Sequence, residues 1–399
     1  MALNQNNILS INGGSSSIKF SLYRVDSIFK PVFYGVIENI STDHAILHFL
    51  NSITGQKTDV QIGKVDYIST VDYLIGWLGK QDDFNSVKAI GHRMVFGMNH
   101  TEPGMITPAL LDKLTEWTVY DTEHMKGAIQ LIKGFNKKFP QLPQIACFDT
   151  SFHADMPAVA KLLPIPRRYF DKGIRRYGFH GLSYAYLFEE YKRLSKKDSK
   201  QDRIVIAHLG NGASLAAIKD GKSIDTSMGF TPSGGIPMST RSGDLDPGVL
   251  SYLMQTEKLN STHLGHMFNY ESGLLGISET SSDMRELMKS KSTDPRAAEA
   301  IDVFCYQVKK WIGSFIAALG GLNTLIFSGG IGENSPAVRS QICRDLQFLG
   351  IELDEVKNSN NEIVISTVTS RVAVYVIKTN EELMIARLTH QVMSFEKTK

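Results

Sequence analysis

Residues 8–23, "ILSINGGSSSIKFSLY", set Asn12, two glycines, three serines and Lys19 on one turn between two apolar, alternating runs. Glycine turns let backbone N–H groups point at an anion, serine hydroxyls add donors, and a lysine adds charge. "IAHLGNGASLAAI" puts His208, Asn211 and Gly212 on a similar turn. "SGGIGENSPAVR" ends an apolar run in glycines ahead of a helix expected near Pro336, so that free N–H groups would face outward. "STRSGDLDPG" holds Arg241 among glycines, and an arginine can grip a carboxylate or phosphate through two parallel hydrogen bonds. Asp149 and His153 follow an apolar run in "ACFDTSFHADMP", His180 sits among aromatics and glycines in "RRYGFHGLSY", and Arg93 lies on or beside a strand in "IGHRMVFG". Each stretch alone has an ordinary reading as a hairpin turn, a solvated charged loop or a packed histidine. Together they suit phosphoryl transfer, which spreads negative charge over equatorial oxygens and asks for fixed donors, cations and a metal.

One competing motif is rejected. "AAIKDGKS", residues 216–223, fits a permissive phosphate-loop pattern with Ala in the first glycine's place. That loop needs a helix after it, whereas Asp220-Gly221 is a hairpin dipeptide leading into "KSIDTSM", which carries no helical pattern. Neither a dinucleotide glycine fingerprint nor zinc-type Cys/His spacing occurs.

These turns need strands and helices to hold them. Apolar runs and helical patterns alternate along the 399 residues, which argues for an α/β fold long enough for two domains. Residues 301–319 repeat apolar side chains at i, i+3, i+4, with Asp294 placed to cap a helix starting at Pro295. A last helix over residues 380–392 is expected to start with a capping box from Thr379 and Glu382. "LGNGASLAAI" weakly repeats the opening hairpin, with Ser214 falling opposite Ser16, so the architecture reads as a duplication with a cleft between its halves. A net charge of +2 gives no reason to expect nucleic acid or acidic membranes as partners. Cys147, Cys305 and Cys343 are too sparse for a disulfide framework or a zinc site. The N-terminus lacks a signal-peptide pattern, and the apolar region at 312–331 is broken by glycines and polar residues, so a cytoplasmic protein is expected.

At this point the motifs resemble a known family. "ILSINGGSSSIKFSLY", "GHRMVFG", "FDTSFHADMP", "RRYGFHG", "HLGNGAS", "DTSMGFTP", "TRSGDLDPG", "SSDMRE", "GGIGENS" and "TNEELMIAR" occur in the order found in acetate kinases, across nearly the whole chain. The resemblance implies two duplicated actin-like (ribonuclease H-like) α/β domains around a nucleotide cleft. Residues 1–150, joined by a C-terminal helix at 385–399, would form one, and residues 151–384 the other, which would also carry a homodimer interface. It implies direct in-line transfer from ATP to acetate, giving acetyl phosphate and ADP, with Mg2+ or Mn2+ as cofactor.

The resemblance also assigns residues. Asn12 and Glu381 would be associated with the metal; Asp149, His180, Asn211 and Arg241 would be catalytic, with Asp149 orienting metal or substrate rather than acting as a base, since acetate is already ionised near neutral pH. Arg93 would hold acetate, beside an apolar pocket of Val95, Tyr120, Phe179 and Pro232. Nucleotide contacts would come from Lys19, from His208, Leu209, Gly210, Asn211 and Gly212, from Asp283, Met284 and Arg285, and from Gly330, Ile331, Gly332, Glu333 and Asn334. The sequence departs from the family pattern in places. Asp121 stands where a histidine is expected, with His124 out of register; Phe96-Gly97-Met98 replaces "HGG"; Ser233-Gly234 loses a glutamate; and Leu182 and Tyr184 change "FHGTSH". Two alternatives therefore stand beside the acetate reading: a propionate or other short-chain acyl kinase, and a nucleotide-binding regulatory protein impaired by Asp121.

Overall fold

The computed structural model describes residues 6–26, 28–119, 124–196 and 202–396. The chain divides into two compact units: Met1–Ser151 with Gly181–Tyr186 and Asn380–Lys399, and Phe152–His180 with Leu187–Thr379.

In the first unit the strands are β1 (Asn7–Gly13), β2 (Ile18–Val25), β3 (Phe29–Glu38), β4 (Ala45–Asn51), β5 (Lys57–Gly63), β6 (Val87–Met94), β7 (Gly104–Met105) and β8 (Gln144–Phe148). They form one sheet in the order β5-β4-β3-β2-β1-β6-β8-β7. β1 pairs antiparallel with β2 and parallel with β6, and β6 pairs parallel with β8. All of β1 is buried, as expected for a central strand covered on both faces. Its alternation sorts the faces. Leu9 and Ile11 enter a core with Val71, Leu74 and Leu131 of the helices Tyr67–Leu78 and His124–Lys138. Ile8 packs with Ala386 of the helix Glu381–Glu396 on the other side.

In the second unit the strands are β9 (Arg203–Leu209), β10 (Ala213–Lys219), β11 (Lys222–Thr226), β12 (Thr324–Ser328) and β13 (Ala373–Val376), in the order β11-β10-β9-β12-β13. Here β9 pairs antiparallel with β10 and parallel with β12, and β12 pairs parallel with β13. This plan matches β3-β2-β1-β6-β8 strand for strand, so the weak repeat of the hairpin sequences is a repeat of whole sheets. Asp220 and Gly221, at φ 53° and 77°, form the tight turn between β10 and β11, which removes any phosphate-loop geometry there.

The helix Pro295–Leu319 contains the expected 301–319 pattern and is capped by Asp294, which accepts from the Arg296 N–H. Phe304, Val308, Ile312 and Phe315 share its buried face. The last helix differs from expectation in its cap. Asn380, not Thr379, accepts from the Leu383 N–H at 2.9 Å. Glu382 does not close a capping box: its carboxylate accepts from Asn12, and the Thr379 N–H that the box would use donates to Glu333 Oε1. Among the described residues no helix is long and apolar enough to cross a membrane, and Cys147, Cys305 and Cys343 are buried free thiols.

Candidate active site

In the first unit three neighbouring strands deliver side chains to their C-terminal ends. Asn12 lies near the end of β1, one residue beyond the Ile11–His92 pairing that aligns β1 with β6. Arg93 follows on β6, and pairing of Arg93 with Cys147 on β8 brings Asp149 beside it just past the strand. Strand ends of this kind are where α/β sheets place ligands. Arg93 donates to Asp149 Oδ2 from Nε at 3.0 Å and Nη2 at 2.7 Å, and from Nη1 to Asn12 Oδ1 at 3.1 Å. Asn12 Nδ2 in turn donates to Glu381 Oε2 at 2.9 Å and to Glu382 Oε1 at 3.1 Å, both in the first turn of the last helix. Arg93 Nη1 also lies 3.7 Å from Glu381 Oε2.

Burial by itself would weaken the charge on Arg93, but Asp149 and then Glu381 outweigh it and hold the guanidinium more firmly protonated than usual. The Arg93 guanidinium faces the carboxylates of Asp149, Glu381 and Glu382. Lys19 stands directly across from Asn12 on β2 and is exposed; it lines a hollow of about 420 Å3 on the sheet face, which Glu382 lines as well. Val95 is buried just after β6. Tyr120 and Asp121 lie outside the described residues.

The second unit builds its own cluster on the β9–β10 hairpin. His208 pairs with Ser214 across the ladder, and Gly210, Asn211 and Gly212 form the turn, with the Gly210 N–H donating to the Gly212 carbonyl at 3.1 Å. His180 heads the helix Gly181–Ser195 at φ 58°, a left-handed conformation uncommon outside glycine. Its Nδ1 is 2.9 Å from Ser214 Oγ, and its ring centroid lies 4.5 Å from that of His208. Arg241 donates from Nη1 to the Pro232 carbonyl at 3.2 Å. A Cβ placed on Gly212 would come 3.2 Å from His180 Nε2 and 3.5 Å from Arg241 Nη1. A glycine there keeps open a space bordered by an imidazole and a guanidinium. Phe179, beside His180, is buried.

The "SGGIGENS" segment joins this cluster. Beyond the expected helix at Pro336–Cys343, the glycines themselves form a short helix, Gly329–Asn334, directly after β12. Gly329 has φ 77°, and a Cβ on it would lie 2.6 Å from the Leu209 carbonyl oxygen, so β12 and β9 end in backbone contact. Gly330 is exposed, and its nitrogen would lie 3.7 Å from a Cβ on Gly210, which brings the two glycine turns together.

Other assigned residues also make contacts within the protein. Glu333 Oε1 accepts from the Gly329 N–H at 3.0 Å, Ser328 Oγ at 3.3 Å and the Thr379 N–H at 3.1 Å. Behind it, Arg339 is wholly buried and donates to the Gly332 and Glu333 carbonyls. Asn334 Nδ2 donates to the Gly330 carbonyl, while Ile331 is half-buried and Gly332 buried. Asp283 caps the helix Met284–Ser290 and chelates the exposed Arg285, whose Nη2 lies 2.5 Å from its carboxylate. Leu209 and Met284 are core side chains.

Sequence reasoning missed Glu382 as a partner of Asn12, Ser214 as the contact of His180, and the inward turn of Glu333. For Ser214 the sequence did hold a signal, its place in the repeated hairpin. Glu382 meets Asn12 from the far end of the chain, and Glu333 turns back onto Ser328 and Gly329 and reaches Thr379.

Two sheets on one strand plan, each opening in a polar hairpin beside buried parallel strands, define a duplicated actin-like α/β protein. The acetokinase family profile matches residues 7–387. An acetate kinase of Thermoanaerobacterium thermosaccharolyticum is 40% identical over 97% of this chain and 98% of its own length. The crystal structure of a Francisella tularensis propionate kinase superposes with a TM-score of 0.90 at 36% identity, covering 97% of this chain and 100% of that one. The Porphyromonas gingivalis acetate kinase structure gives 0.86 at 34% identity, covering 97% and 100%. The chain belongs to the acetokinase family.

Proposed function

We propose that the protein is a phosphotransferase that moves the γ-phosphoryl group of ATP reversibly onto the carboxylate of acetate, giving acetyl phosphate and ADP. The observation that carries the reading is the pair of cationic or donor side chains, His180 and Arg241, bordering one open space over Gly212. An acetate oxygen forms the new bond to phosphorus while the bond from phosphorus to the β–γ bridging oxygen breaks, and that electron pair leaves with ADP. No base is needed, because the acid is ionised at neutral pH. His180, Asn211 and Arg241 offset the charge on the equatorial oxygens. Arg93 binds the acid's carboxylate, and Asp149 holds Arg93 in place through Nε and Nη2. Lys19 and the segments 208–212, 283–285 and 330–334 are the nucleotide contacts, and Val95, Tyr120, Phe179 and Pro232 set the size of the acid.

The family implies Mg2+, with Mn2+ as a substitute, and the donor set fits it. Glu381 and Asn12, whose side chains meet at 2.9 Å, offer the hard oxygen donors such an ion takes and would hold it. Among the described residues no three His, Cys, Asp or Glu side chains converge as a metal cage, and magnesium requires none, taking few carboxylates beside water and phosphate oxygens. Bound there, the ion would neutralise phosphate charge.

We also read the protein as a cytoplasmic homodimer. Leu245, Val249, Leu253, Val303 and Trp311 line a hollow of about 810 Å3, and Leu245, Val249 and Val303 are exposed, an apolar face that a second copy would cover. Light scattering checks this, with a monomer at micromolar concentration as the contrary result. For the reaction, Arg241→Ala and His180→Ala are compared with wild type at saturating ATP and acetate. Loss of kcat in both supports the reading, and unchanged turnover in either removes that residue from it. The likeness to a propionate kinase structure favours one second reading, propionate as the preferred acid, which changes the substrate and leaves the mechanism intact.

A further inference from the structure

His180 is held in a way its local sequence does not require. It occupies the N-cap position of the helix Gly181–Ser195 in a left-handed conformation, φ 58° and ψ 22°, yet its side chain makes no capping hydrogen bond to that helix. The ring is turned instead toward the β9–β10 hairpin. There Nδ1 meets Ser214 Oγ at 2.9 Å, and the ring lies against His208 with an interplanar angle of 35°. The opposite edge of the same ring, Nε2 and Cε1, is the part nearest the space over Gly212, at 3.2 and 3.4 Å from a Cβ placed there. Ser214 is completely buried as the second residue of β10, a strand whose other side chains are apolar up to the terminal Lys219, so its hydroxyl is an exception that calls for a partner.

We propose that Ser214 is a positioning residue whose hydroxyl donates to Nδ1 of His180 and so fixes the neutral imidazole with its proton on Nε2, aimed over Gly212. The kinetic consequence rests on the phosphoryl-transfer reading; the tautomer does not. A neutral imidazole has one donor and one acceptor nitrogen, and the bond made by one sets the role of the other. With Nδ1 accepting from Ser214, Nε2 presents an N–H donor where equatorial oxygens gain charge. With the roles reversed, Nε2 would present a lone pair to those oxygens and repel them. A residue that acts this way changes the transition state more than either substrate's binding.

The test uses the full-length protein with 15N-labelled histidine rings, read by two-bond proton–nitrogen correlations above the histidine pKa, with His180→Asn to assign the signals. In the wild type His180 should show the pattern of a neutral ring protonated on Nε2. In Ser214→Ala that pattern should give way to exchange between tautomers. kcat should fall about tenfold or more, while KM for ATP and for acetate stays within about twofold. Ser214→Thr keeps the hydroxyl and should retain the wild-type tautomer and most of kcat. A wild-type ring protonated on Nδ1 overturns the proposal without any variant having to fold, and so does Ser214→Ala with unchanged spectrum and kcat. If the wild type makes no acyl phosphate from any acid, the phosphoryl-transfer reading fails, and the tautomer measurement still decides the role of Ser214.

Discussion

Removing Asp149 should expose how much of the first unit depends on one buried ion pair. Its side chain is 1% exposed and that of Arg93 17%, and two charge-assisted hydrogen bonds at 3.0 and 2.7 Å join them. Asp149→Ala leaves a guanidinium in a largely water-excluded site, and breaking such a pair from one side costs roughly 3–5 kcal/mol. Glu381, 3.7 Å from Arg93 Nη1, offsets part of that loss, so the expected cost is at the lower end, about 3 kcal/mol. Urea unfolding monitored by tryptophan fluorescence measures it, alongside the Arg93→Leu single variant and the Arg93→Leu/Asp149→Leu double variant. Replacing both partners removes the unpaired guanidinium, so the double variant should recover part of the stability lost in Asp149→Ala, the rest staying lost because Glu381 and Asn12 also lose Arg93. Activity should not return with it, because Arg93 is the proposed acid-binding cation. A cost below about 1 kcal/mol for Asp149→Ala would contradict the reasoning, since it would place the pair among solvent-screened surface pairs. A double variant no more stable than Asp149→Ala would contradict it too.

Three further outcomes follow from the same physical account. Burial lowers the pKa of both His92 and His153 to about 4, so each stays neutral in the folded state while the unfolded chain takes up a proton below about 6.5. They therefore cost no stability above that pH and destabilise the fold as pH falls from 6.5 toward 4. Stability should drop by up to about 1.4 kcal/mol per pH unit for each histidine, measured as urea midpoints between pH 7 and 5; a flat profile would count against buried neutral rings. Gly329→Ala should destabilise by roughly 1–3 kcal/mol and weaken ATP binding, because the new methyl group meets the Leu209 backbone in a left-handed residue; calorimetric ATP titration and thermal melts check this. Burial pushes the thiols of Cys147, Cys305 and Cys343 up to about 12, so an aromatic disulfide reagent should modify them slowly in the native protein and rapidly in urea.

What the sequence disclosed and what it withheld divide along a physical line. The hairpins at Asn12–Lys19 and His208–Ser214 are local, written in turn residues between alternating strands, and both appear where the pattern places them. The helix Pro295–Leu319 is equally local, since its apolar period and the Asp294 cap lie within one stretch. Pairings between distant segments have no such signature. Glu382 pairs with Asn12 across nearly the whole chain, and the Thr379 N–H that the expected capping box would use donates to Glu333 instead. Glu333 shows the same limit. In the sequence it is one more polar residue of a glycine-rich stretch, whereas in the fold its carboxylate gathers the Ser328 hydroxyl and the Gly329 N–H at the start of its own loop and the Thr379 N–H from further along the chain. A motif locates a ligand loop more readily than it reveals which of its residues hold the loop in shape.

The central claim is phosphoryl transfer to a short carboxylic acid, and hydroxylamine trapping of the acyl phosphate tests it most directly. Purified protein with MgATP is assayed against formate, acetate, propionate and butyrate, with Arg241→Ala as control. The account predicts hydroxamate from wild type, strongest with acetate, and its loss in the control. No hydroxamate from any acid, in protein that still binds ATP, would contradict it and leave a nucleotide-binding protein without this chemistry.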